Sequence, residues 1–73
     1  MSDSGEVDKD TVLTVLRHAG VNIFVDGSKH VLSKGNVIEV QFLQPKVSRR
    51  MLHHFSRKFG ISIHLFFNPF MLE

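Results

Sequence analysis

An α+β fold with its elements in the order αβββαβ is what this 73-residue chain predicts. Three features carry the prediction. Apolar residues recur at helical spacing in two separate stretches. Between and after those stretches they alternate with period two. Asp26-Gly27 and Lys34-Gly35-Asn36 punctuate the alternating part in the manner of tight turns. With 42% apolar residues, seven Phe and no Trp or Tyr, the composition is that of a globular domain.

The first seven residues, Met1 to Val7, are polar and acidic and are expected to be disordered, leaving one domain over residues 8–73. Asp8 or Asp10 is placed to cap a helix whose apolar positions are Val12, Val15, Leu16 and Ala19. Gly20 suits a left-handed stop, and Arg17 with His18 suits the negative end of the helix dipole. Val21 to Asp26 is β-branched and aromatic, and Asp26-Gly27 turns it back into a second strand, Lys29 to Ser33. After the turn at Gly35, residues Val37 to Leu43 alternate, with Ile38, Val40 and Phe42 on one face and Glu39 and Gln41 on the other. Pro45 ends that strand.

Pro45 to Gly60 then reads as a second helix, with Val47, Met51, Leu52, Phe55 and Phe59 on its apolar side. Ile61 to Phe67 alternates again and is expected to be a fourth strand stopped by Asn68-Pro69. Placed parallel to the third strand through a right-handed crossover, it would complete a four-stranded mixed sheet with both helices on one face.

A domain of this size buries only about 60% of the surface its unfolded chain exposes, so packing or self-association must stabilise it. The chain has no cysteine, which excludes disulfides and thiolate zinc sites. No apolar run approaches the roughly 18 residues of a membrane span, and the acidic start differs from a secretory signal, so a soluble, cytoplasmic chain is expected.

Net charge is only +2, but its distribution is uneven. Asp3, Glu6, Asp8 and Asp10 make the start acidic, and no Asp or Glu falls between Glu39 and Glu73. On the second helix Arg49, Arg50, His53 and Arg57 lie opposite the apolar stripe, with His54 and Lys58 at its flanks and Lys46 just before it. A cationic ridge without interleaved acids points to phosphate recognition, since Arg grips two phosphate oxygens at once and phosphate contacts dominate nucleic-acid affinity. An acidic leader able to fold back over the ridge is the corresponding competitor.

The five histidines lack the paired spacing of a metal site, and no metal or other cofactor is implied. His30, beside the first turn and flanked by Lys29 and Lys34, is the one candidate general base, with the lysines placed to stabilise phosphate charge. The alternative is an ordinary exposed turn.

From Val12 to Ser62 the succession is a helix ending in Ala19-Gly20, a strand, Gly27-Ser28-Lys29-His30, two further strands and a basic helix ending in Phe59-Gly60-Ile61-Ser62. This resembles the HicA family of small messenger-RNA-cleaving toxins, whose fold is similar to the double-stranded-RNA-binding domain and whose partner is an antitoxin. Gly27, Ser28 and His30 match three positions of that family's Gly-Ser-His-His motif, and Lys29 stands where its first, catalytic histidine belongs. The resemblance implies an RNA-binding shape more directly than it implies catalysis.

The tail is unusually apolar. Phe66, Phe67, Phe70 and Met71 either complete the core or form the centre of a symmetric dimer. The expected function is nucleic-acid binding, RNA before DNA, through Lys46, Arg49, Arg50, His53, Arg57 and Lys58, with Lys29, His30 and Lys34 as a secondary set. A dimeric module for an acidic protein partner and a HicA-like small ribonuclease are the alternatives.

Overall fold

A computed structural model describes residues 5–68. In chain order its elements are β1 (Val7–Asp8), α1 (Lys9–His18), β2 (Asn22–Asp26), β3 (Lys29–Lys34), β4 (Val37–Phe42), β5 (Lys46–Val47), α2 (Arg49–Phe59) and α3 (Ile63–Phe67). The class is α+β, as expected, with the strands in two antiparallel sheets.

The larger sheet is the anticipated meander, β2-β3-β4. Asp26 pairs with Lys29 and Lys34 with Val37, which leaves the two-residue loops Gly27-Ser28 and Gly35-Asn36. Gly27 and Gly35 take φ of 65° and 60°, while no other residue type among the described residues has positive φ. The first loop position is thus left-handed in both hairpins, where glycine carries no Cβ penalty.

α1 ends as the sequence suggests, with Gly20 at φ 91° and the Val21 amide donating to the Leu16 carbonyl at 2.9 Å. Its start is different. Asp8 occupies the cap position but makes no side-chain cap bond, because its carboxylate accepts from Lys46 Nζ at 2.6 Å. Val7, expected in the disordered leader, pairs with Val47 in the two-stranded β1–β5 ladder. Residues 45–48, expected as the first turn of the second helix, are therefore partly strand, and Val47 reaches the core from β5. α2 begins only after Ser48, whose hydroxyl caps it by accepting from the Met51 amide at 3.3 Å.

The fourth strand is not formed. After Gly60 the Ile61 amide donates to the Ser56 carbonyl at 3.1 Å, Ser56 Oγ donates to the Ile61 carbonyl, and the chain turns into the short helix α3. The crossover and mixed sheet expected from the alternation of Ile61 to Phe67 are thereby replaced by a third helix packed against α1 and α2. The physical reason is that Ile61 and Phe66 both reach the core, at 5% and 1% exposure, from opposite parities of the sequence. A strand would have sent them to opposite faces.

One core joins these elements. Val12, Val15 and Leu16 of α1, Leu32 of β3, Leu52 and Phe55 of α2 and Phe66 of α3 are the most deeply buried side chains. Helix α2 overlies the inner side of β3 and β4, since Lys34 Nζ donates to the Phe59 carbonyl at 3.3 Å and Glu39 meets His54 and Lys58. The other side of the sheet is open, with Phe24, Ile38, Val40 and Phe42 exposed. No helix among the described residues is long and apolar enough to cross a membrane.

Candidate nucleic-acid interface

The amphipathic division of α2 is realised. Leu52, Phe55 and Phe59 are buried, whereas Arg49, Arg50, His53, His54, Arg57 and Lys58 are exposed. The Ser48 cap fixes its start, and Gly60, left-handed at φ 69°, with the Lys34 ammonium on the Phe59 carbonyl, fixes its end. The helix is thus capped at both ends beneath a row of cations.

Those cations are not equivalent. Arg50, His53 and Arg57 form no ion pair with any acid among the described residues. They follow one another along the helix, and Arg50 and Arg57 line an open groove with His54 and Lys58. Seven residues of rise place Arg57 about 10 Å along the axis from Arg50. Arg49 lies at the edge, its guanidinium 5.5 Å from the centre of the Phe67 ring, and Gly5 passes beside its aliphatic stem. Lys46 is occupied by Asp8, a pair with both side chains more than 60% exposed. The acidic leader thus meets the margin of the ridge at Lys46. Asp3 lies outside the described residues.

One acid does interrupt the ridge, and it comes from the sheet. Glu39 on β4 accepts from His54 Nε2 at 2.5 Å and from Gln41 Nε2 at 2.6 Å, with Lys58 Nζ at 3.9 Å. Burial alone would raise its pKa. The hydrogen bonds from His54 and Gln41 and the charges of His54 and Lys58 outweigh burial and hold the carboxyl below its ordinary value. The only sequence signal for this partner was the polar parity of Glu39 and Gln41, which reads naturally as the solvent side of β4. The sheet in fact presents that side to α2.

The secondary set is dispersed. Lys29 lies on the open face of the sheet, opposite Asp26 and Phe42 in the register. Lys34 serves the end of α2. His30 is 3% exposed, with Nδ1 3.1 Å from the Ser28 carbonyl, so its ring belongs to the core side of the sheet and not to an exposed turn. No group of three or more His, Asp or Glu among the described residues is placed to hold a metal. In the tail, Phe66 is buried and so unavailable to a dimer, Phe67 is 41% exposed beneath Arg49, and Phe70 and Met71 lie outside the described residues.

Comparison with family models, with curated proteins and with solved structures gave no match for this chain.

Proposed function

We propose that this chain is a nucleic-acid-binding domain, RNA before DNA, that grips phosphates with the outer face of α2. The observation that carries the reading is the line of exposed side chains Arg50, His53 and Arg57, without an acid partner among the described residues, on a helix capped at both ends. Such a line supplies positioning contacts to a backbone. It offers no Asn or Gln for bidentate reading of adenine, so any base reading falls to Arg50 and Arg57 on guanine. The core order αβββα with an antiparallel meander supports RNA before DNA, because it agrees with the resemblance to the double-stranded-RNA-binding shape. An acidic protein is the second reading. Glu39 already lies against His54 and Lys58, so this surface accommodates carboxylates as well.

The test is a salt titration. Replacing Arg50 and Arg57 together by Ala removes about two phosphate contacts and flattens the dependence of log K on log salt by about 0.7 to 0.9 per contact. Because both side chains are exposed, thermal stability should change little. An unchanged slope in the double variant rules out the ridge as the RNA surface, and tighter binding to polyglutamate than to RNA favours the protein reading. No cleavage of a long unstructured RNA is expected, since His30, the candidate general base, is buried. Processing that disappears in His30→Ala would reverse that expectation.

A further inference from the structure

The open face of the β2-β3-β4 sheet is the part of the molecule least explained by a single chain in water. Its cross-strand rows follow from the register: Asn22, Ser33 and Ile38 at one end, Phe24, Val31 and Val40 in the middle, and Asp26, Lys29 and Phe42 at the other. Phe24, Ile38 and Phe42 are 66%, 68% and 63% exposed and Val40 is 49% exposed. Single exposed apolar side chains are ordinary, but these four surround the half-buried Val31 and form one patch. Together they present roughly 450 Å² of apolar surface, and with the polar rim the face approaches the roughly 600 Å² per partner at the lower limit of specific interfaces.

We infer that this face stacks on the same face of a second copy, making a twofold-symmetric dimer. The rows themselves select the arrangement. A twofold axis lying along the middle row, at right angles to the strands, exchanges the two end rows. Phe24, Val31 and Val40 then meet their own counterparts, and Ile38 meets Phe42 of the partner subunit. Lys29 falls beside Ser33 of the partner subunit and Asp26 beside Asn22 of the partner subunit. Apolar groups meet apolar groups, polar groups meet polar groups, and no like charges are opposed. The other in-plane twofold, along β3, sets Lys29 against Lys29 and is disfavoured by repulsion.

The occupant is argued from charge as well as area. Asp26 and Lys29 cancel on this face, so it attracts neither an anionic nor a cationic partner, whereas the cations are gathered on α2, on the other side of the sheet. Stacked sheets would carry the two α2 ridges on opposite outer surfaces, free of the interface. The inference stands apart from the RNA reading and survives or fails without it.

Sedimentation equilibrium on the full chain, from micromolar to submillimolar concentration, tests it. The wild type is expected to approach twice the 8.3 kDa of one chain. Val40→Asp and Phe24→Ser, both at exposed positions, should keep the wild-type circular dichroism spectrum and weaken dimerisation by at least about thirtyfold. Phe67→Ser, exposed on the helical side, should leave the dimer intact. A wild type that stays monomeric throughout overturns the inference, as does a dimer that persists in Val40→Asp and Phe24→Ser or is lost in Phe67→Ser. A monomer whose RNA affinity falls in Phe24→Ser also overturns it and assigns the face to base stacking.

Discussion

Glu39 reaches His54 and Lys58 of α2 from its place on β4. Its carboxylate rests on His54, Gln41 and Lys58, and the net effect is a pKa below the ordinary value of 4.5. A group with a lowered folded pKa contributes stability that is fully present above its unfolded value and is lost as pH falls through the folded value. Glu39→Gln should therefore make the loss of stability below about pH 4.5 shallower than in wild type, as followed by urea unfolding across pH. The same substitution releases His54 and Lys58 from their acid. RNA should bind more tightly, with a salt slope steeper by about 0.7 to 0.9 for each phosphate that the freed cations neutralise. A slope and acid limb both identical to wild type would show that Glu39 neither braces the helix nor restrains the ridge. The Lys46–Asp8 pair, by contrast, is exposed on both sides and should contribute no more than about 1 kcal/mol.

At the scale of the element, α2 is both the keystone of the core and the carrier of the charge. Phe55 is fully buried and touches its neighbours in helical register, with the Phe59 ring 6.3 Å away. Phe55→Ala should cost about 3 to 5 kcal/mol, which is comparable to the whole stability expected of so small a core, and the variant should be largely unfolded by circular dichroism. A cooperatively melting Phe55→Ala protein would mean that the buried stripe lies elsewhere on the helix. Ser48 supplies a smaller and more local contribution. Its hydroxyl satisfies the Met51 amide, so Ser48→Ala should destabilise by about 0.5 to 2 kcal/mol, whereas Ser48→Asp should retain most of the cap. Chemical denaturation of the pair of variants separates the cap from any effect of side-chain size.

For the whole molecule, the consequence of sheet stacking is linkage between folding and association. A species that binds its own copy only when folded melts at a temperature that rises with concentration. The wild-type Tm should therefore climb with protein concentration, and that of Val40→Asp should not. Scanning calorimetry at several concentrations reads this directly. Without a second copy, an open apolar face on a three-stranded sheet with two edge strands is an aggregation hazard, and precipitation on storage would be the visible sign.

Local pattern alone was enough for α1, the two hairpins and the amphipathic division of α2. Each is settled by neighbours in sequence: 3.6-residue spacing in Val12, Val15 and Leu16, left-handed glycines at Gly27 and Gly35, and the buried stripe Leu52, Phe55 and Phe59. The candidate ridge was legible for the same reason, because exposure of a charged face follows from burial of its opposite. The tertiary structure decided the rest. Whether Ile61 to Phe67 became strand or helix depended on which core positions remained to be filled, and Ile61 with Phe66 could fill them only from a turn followed by a helix. Val7 became a strand because Val47, forty residues away, offered it a ladder. The parity of β4 is the clearest case. Alternation fixes that Ile38, Val40 and Phe42 share a face, but a period of two carries no information about which face the helices will cover. Packing put Glu39 under the ridge and left the apolar row open.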